Sequence, residues 1–209
     1  MITIAKYTTQ ERESILMHLK NSKYQRVLDI GYSANNWSSQ FVTHIIDINP
    51  VKTDKICFFG DINSTEVWNQ VEKDVKLNGM FDFCIISHVL EDIINPVYVS
   101  KMINKFCLAG FIALRSKFIE STRNIENKYR GFIHHRYIFD IQNNKLIGYP
   151  KLNFIEYDTR FDLLEKQYTE YNCELQIYWL AQFELSIIND NYMGPDLISV
   201  LQYYENLFL

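Results

Sequence analysis

The first half of the chain alternates short, mainly apolar runs with stretches of helical spacing. The runs cover residues 27–30, 43–48, 56–59, 81–86 and 110–114. Turn formers close several of them: Gly31, Asn49-Pro50 and Gly60-Asp61. Apolar runs that lack polar alternation mark strands buried on both faces, as in a parallel sheet. Ahead of the first run, Ile15, Leu16 and Leu19 fall at helical intervals after Thr8-Thr9, a capping hydroxyl followed by early acids. Residues 65–73 suit a short helix. Pro96 fits the first turn of another, which carries Val97, Val99, Met102, Ile103 and Phe106. Strand and helix in alternation predict a doubly wound α/β unit over residues 1–116.

The second half changes character. Residues 136–141 and 145–149 flank Gln142-Asn143-Asn144 and predict a β-hairpin. Residues 173–188 are rich in β-formers and predict one long strand or two. Leu197, Ile198, Leu201, Tyr204 and Leu207 predict a closing helix over 195–208. Without repeats, low-complexity tracts or linkers, residues 1–209 read as a single domain.

Composition narrows the function classes. Apolar residues make up 47% of the 209 and aromatics 15%, which supplies a sizeable core and argues against disorder. A net charge of −4 offers no basic face for a nucleic acid backbone. Cys57, Cys84, Cys107 and Cys173 lack CxxC or zinc-finger spacing and read as reduced thiols. Met1 to Lys6 is too short and polar for a signal peptide, and no apolar run reaches membrane-spanning length. The expectation is a cytoplasmic protein (host cytoplasm if viral) with no membrane partner.

In open α/β sheets, ligands collect beyond the carboxyl ends of the strands. Here those ends offer Asp29-Ile30-Gly31, then Asp47, then Asp61, then Ser87-His88. A carboxylate at the second can accept two hydrogen bonds from a ribose diol. One at the third can receive an adenine amino group, with Ile62 flanking the ring. Asp47 and Asp61 equally suit turns, since each precedes Asn or Pro in a loop.

The order DIG, IIDINP, GDIN and FDFCIISHVLED, followed by a helix and a strand, resembles class I S-adenosylmethionine-dependent methyltransferases over about residues 25–116. The resemblance implies a Rossmann-like fold: a seven-stranded, mostly parallel sheet with its last strand antiparallel and helices on both faces. The β-rich second half becomes an elaboration of it. The cofactor implied is S-adenosyl-L-methionine, leaving S-adenosyl-L-homocysteine as product. Asp29, Gly31, Tyr32 and Ser33 would form the cofactor loop. Asp47 with Ile48 would hold the ribose, Asp61 with Ile62 the adenine, and Ser87 with His88 would border the site. Residues 1–116 thus become the cofactor-binding half and 117–209 the acceptor-side half. Ser33 and Asn35 stand where family members commonly have glycine, although Asn tolerates left-handed backbone and Ser is small.

A second block, Tyr129-Arg130-Gly131-Phe132-Ile133-His134-His135-Arg136-Tyr137, is poor core material unless each polar group is paired. It reads either as a polar surface loop or as the wall of an acceptor pocket. With SHVLED and Leu114-Arg115-Ser116, it resembles a small methyltransferase subgroup encoded among surface-glycan genes of bacteria and large DNA viruses such as chlorella viruses. That resemblance implies a carbohydrate acceptor, a deoxyhexose such as rhamnose. A sugar hydroxyl needs a base during in-line methyl transfer. His88, His134, His135 and Asp92 are the candidates, while Arg115, Arg136 and Tyr137 would bind the acceptor. Asp92, His134 and His135 are also the residues a metal would use, but spacing alone does not show a site and none is expected. The rival readings are a methyltransferase for another small molecule or an amine, and a catalytically silent binding module.

Overall fold

The structure is a computed structural model, and it describes residues 1–9, 12–32, 36–50 and 52–188. Ser33, Asn35 and the expected helix over 195–208 lie outside the described residues. In chain order the strands and helices are β1 (Ile2–Thr8), α1 (Glu13–Asn21), β2 (Val27–Ile30), β3 (His44–Asp47), β4 (Ile56–Phe59), α2 (Thr65–Asn78) and β5 (Phe83–Ser87). Then come α3 (Pro96–Phe106), β6 (Ala109–Arg115), α4 (Lys117–Ser121), β7 (Tyr137–Gln142), β8 (Lys145–Pro150), α5 (Arg160–Glu165), β9 (Glu174–Leu180) and β10 (Leu185–Ile187). None of the described helices is long and apolar enough to cross a membrane.

Seven strands form one sheet in the order β1-β9-β6-β5-β2-β3-β4. Strands β2 to β6 are mutually parallel, and β9 runs antiparallel between β6 and β1. This is the Rossmann-like architecture that the resemblance implies. Alternation along the strands sorts the core. Leu28, Ile30, Ile46, Phe58, Cys84, Ile86, Ile112 and Leu114 pack with Val67, Trp68 and Val71 of α2 and Val99, Ile103 and Phe106 of α3. The residues between them, Val27, Ile45, Phe83, Ile85, Phe111 and Ala113, pack with Ile15 and Leu19 of α1. Helices therefore cover both faces, and Asp29 shares the α1 side with Val27.

The C-terminal elaboration is a three-stranded sheet, β10-β8-β7. Its hairpin turns on Asn143 (φ 49°) and Asn144 (φ 61°), the left-handed pair that a two-residue hairpin loop demands. The 173–188 run divides into β9 and β10, separated where Ala181 takes φ 63°. The N-terminus corrects one expectation. Thr8 ends a strand instead of capping a helix, because β1 finds an unpaired edge at β9, with Ala5 opposite Ile177 and Tyr7 opposite Leu175. Long-range strand pairing overrides the local capping signal.

Candidate functional site

Strand order reverses at β2, which has β3 on one side and β5 on the other. The crevice at such a switch point opens beyond the carboxyl ends of those strands. Gly31 sits there with φ 77°, donating its N–H to the Ile46 carbonyl at 3.0 Å. A Cβ at Gly31 would stand 2.5 Å from Val89 Cγ2, so the chain leaving β5 lies directly against this turn. Next along the rim, the Asp47 carbonyl accepts from Gly60 N–H at 3.1 Å. Gly31, Asp47 and Asp61 thus stand at three adjacent strand ends. Both acids also make local turns: Asp47 Oδ1 accepts from Asn49 N–H at 2.7 Å, and Asp61 Oδ1 from Asn63 N–H at 2.8 Å. Ile48 is exposed on the rim, whereas Ile62 and Tyr32 are buried.

Asp29 is 1% exposed. One carboxylate oxygen accepts from Ser38 Oγ at 2.7 Å and Asn36 Nδ2 at 3.4 Å. Its other oxygen, Oδ1, has no partner among the described residues. Burial pushes its pKa up to about 7, against the pull of those two hydrogen bonds. A buried carboxyl with one oxygen unpaired among the described residues is costly unless another group engages it.

His88 leaves β5 with φ 54°, a left-handed conformation that costs a non-glycine residue about 1 kcal/mol or more. Its ring lies between two carboxylates, with Nε2 2.8 Å from Glu174 and Nδ1 3.3 Å from Glu91. Burial disfavours the charged ring, but the bonds to Glu174 and Glu91 outweigh it and raise the pKa. Both ring nitrogens are therefore engaged by carboxylates. Burial would raise the pKa of Glu174, yet hydrogen bonds from His88 and Arg12 and the Arg12 charge draw it down to about 2. Ser87, at the end of β5, is half-buried.

The residues expected to serve an acceptor include a cluster past β5 and β6. His135 is buried, with Nδ1 hydrogen-bonded to Glu120 Oε1 at 2.6 Å and Nε2 3.6 Å from Asp92 Oδ1. Lys151 holds the other Glu120 oxygen at 2.5 Å. Burial pushes the Glu120 pKa up, but His135 and Lys151 more than reverse this and it stays below its ordinary value. The Asp92 carboxyl is shifted upward, chiefly by burial, with His135 opposing. His134 is exposed beside this pair, and one donor atom each from Asp92, His134 and His135 lies within 4.8 Å of the others. The sequence alone had not brought these three to one point.

The loop carrying the histidines is clamped from behind. Arg130, 1% exposed, bonds the Ile155 and Ser121 carbonyls and the carboxylates of Glu165 and Asp162. Gly131 follows with φ 54°, packed so that a Cβ would fall 2.5 Å from Glu120 Oε2 and 2.7 Å from its Cα. Arg136 N–H then donates to the Glu91 carbonyl at 2.7 Å, tying the loop to the exit of β5. A cavity of about 460 Å³ opens here, lined by His135, Lys151, Arg130, Tyr129, Ile133, Leu152, Asn153 and residues 155–157, within the size range of small-molecule sites. A larger, mostly apolar cavity of about 740 Å³ lies under the hairpin, and none of the expected site residues lines it.

Arg115 stacks its guanidinium 4.8 Å over the Phe132 ring, and its backbone N–H donates to Glu91 Oε1 at 3.0 Å. Arg136 is half-buried. Tyr137 is 3% exposed, and its hydroxyl donates to the Ile94 carbonyl at 3.0 Å. Glu120, Lys151 and Glu174 complete these networks and were not singled out by the sequence reading. The available signal was an acid directly beside apolar residues, at Ile119-Glu120 and Cys173-Glu174-Leu175.

No protein-family model and no curated protein matches the chain. Solved structures similar to it include the N-terminal domain of EvdMO1 with SAH bound, at 8% identity and a TM-score of 0.41, covering 84% of this chain and 83% of that one. Another is the same domain in the presence of SAH and D-fucose, at 10% identity and a TM-score of 0.35, covering 81% of each chain. At these scores the likeness assigns no residue a role.

Proposed function

We propose that this protein is an S-adenosylmethionine-dependent methyltransferase that methylates a sugar hydroxyl, with a deoxyhexose such as rhamnose in a surface glycan as acceptor. The observation that carries the reading is the convergence of Gly31, Asp47 and Asp61 on one rim at the switch point of the sheet, with the buried Asp29 carboxyl on the strand that leads into it. These residues fit the cofactor. Gly31 keeps the turn clear of a side chain, and the Asp29 carboxylate suits the cofactor's ammonium. Asp47 and Asp61 have the chemistry for the ribose diol and the adenine amino group. When bound, the cofactor supplies an electrophilic methyl on a sulfonium.

The chain's own part is alignment and proton removal. The 460 Å³ cavity that reaches His135 and Lys151 supports an acceptor site between the 129–136 loop and the segment after β8. His135, its Nδ1 committed to Glu120, presents Nε2 beside Asp92, and this pair takes the proton of the acceptor hydroxyl. His88, Glu91 and Glu174 position the exit of β5. Arg115, stacked on Phe132, offers a planar donor for sugar hydroxyls. A net charge of −4 leaves nucleic acid outside the acceptor range. Residues 1–116 serve the cofactor and 117–209 the acceptor within one domain.

Calorimetric titration with S-adenosylhomocysteine tests the first half of this reading, and labelled methyl transfer to a panel of sugars and amines tests the second. Saturable binding with transfer to a sugar hydroxyl is expected. Binding with transfer to amines alone would replace the acceptor, and the absence of any binding would leave a silent module.

A further inference from the structure

We propose that Asp92, His134 and His135 form a binding site for a divalent transition-metal ion. Each contributes one donor atom, and the three lie within 4.8 Å of one another. The His135 Nε2 to Asp92 Oδ1 distance is 3.6 Å. Two ligands, each about 2.1 Å from a tetrahedral ion, stand about 3.4 Å apart, so a small closure completes the geometry. The second observation concerns the far side of the ring. His135 Nδ1 bonds Glu120 Oε1 at 2.6 Å, and Glu120 is itself held by Lys151 at 2.5 Å. A metal-ligating histidine almost always gives its other nitrogen to a carboxylate or carbonyl, which fixes the tautomer and turns the lone pair toward the ion. The bond from Arg136 N–H to the Glu91 carbonyl fastens the loop bearing the histidines to the loop bearing Asp92.

Exposure is divided as such a site requires. The His135 side chain is 4% exposed, while His134 is 52% and Asp92 41% exposed, so the cluster is anchored on one side and open to a further ligand on the other. Glu126, 3.9 Å from His134 Nδ1, is a competing partner that the ion displaces. Two imidazoles and one carboxylate favour zinc, cobalt(II), nickel(II) or manganese(II) over the oxygen-seeking magnesium and calcium. Occupied by an ion, His135 Nε2 no longer accepts a proton; the ion instead favours ionisation of a hydroxyl in its open position. The placement beside an acceptor rests on the methyltransferase reading, whereas ion binding does not.

The test uses the full chain, stripped with a chelator and titrated with cobalt(II), whose visible absorption reports coordination without any methyl transfer. One equivalent binding and displaced by zinc is the expected result. His134→Ala and Asp92→Asn, both at exposed positions that leave the fold intact, should each weaken cobalt at least about tenfold, and Glu120→Gln by about ten- to a hundredfold through the outer bond. His18→Ala, remote from the cluster, should leave affinity unchanged. No stoichiometric cobalt binding, or equal binding by the His134→Ala, Asp92→Asn double variant, overturns the proposal. Binding of S-adenosylhomocysteine measured on the same stripped protein reports separately on the cofactor site.

Discussion

Replacing Asp29 with Asn should make stability less dependent on pH, and the size of the change follows from the burial of this carboxyl. Asp29 is 1% exposed with its pKa raised to about 7 from an ordinary 3.8. Below about pH 4 the folded and unfolded chains both carry the proton, and the group is neutral to folding. As pH rises, the unfolded chain ionises first, while the fold must either keep the proton or bury a charge. Stability present at low pH is therefore lost as pH climbs towards 7, by about 4 kcal/mol in all at about 1.4 kcal/mol per pH unit. Between pH 5 and pH 8 the wild type should lose on the order of 2 to 3 kcal/mol that Asp29→Asn does not. Urea unfolding followed by the fluorescence of Trp37, Trp68 and Trp179 measures both proteins across that range. A stability difference that stays constant with pH would refute the reasoning, since it would mean that Asp29 ionises as freely folded as unfolded. The same variant should bind S-adenosylhomocysteine more weakly at pH 8, where the wild-type carboxylate is charged and the variant offers only a neutral amide.

The remaining expectations address the other parts of the molecule. Glu174, held at about 2 against an ordinary 4.5, contributes stability above the ordinary value that is lost as pH falls towards 2. Wild type should therefore lose about 2 kcal/mol more than Glu174→Gln between pH 5 and pH 3 in urea unfolding, and parallel curves would remove the network around His88 as its cause. Asp47→Ala should weaken S-adenosylhomocysteine by about ten- to a hundredfold in calorimetry, the range of a charge-assisted hydrogen bond, and an unchanged affinity would cancel the ribose role. His135→Ala should lower turnover at least about a hundredfold while cofactor affinity holds, and normal turnover would eliminate it from acceptor activation. Gly131→Ala forces a side chain into left-handed backbone against Glu120 and should lower the melting temperature by at least about 2 °C; an unaltered melting curve would show that the loop relaxes freely.

Much of the parallel part of the sheet was legible along the chain because its signals are local. Apolar runs bounded by turn formers marked β2 to β6, and Pro96 to Phe106 matched α3 end to end. Gly31, Asp47 and Asp61 were readable as strand-end residues because the ends of strands are written in the adjacent turns. The clusters beyond β5 and β6 were less legible. His134, His135 and Asp92 were visible as chemistry but not as a cluster, since 41 residues lie between Asp92 and His134 and no period links them. Glu120 and Glu174 gave only the faint signal of an acid among apolar neighbours.

What the sequence by itself determined is the set of buried strands, the helices that cover them and the chemical character of each strand end. Those follow from hydrophobic periodicity and turn chemistry, which act over a few residues. The tertiary structure alone decided that the N-terminal segment joins the sheet through β9, that His88 is pinned between two carboxylates, and that His135 is fixed by Glu120 within reach of Asp92. Each depends on pairing between distant segments, where the free energy of a buried hydrogen bond or an unpaired sheet edge outweighs local preference.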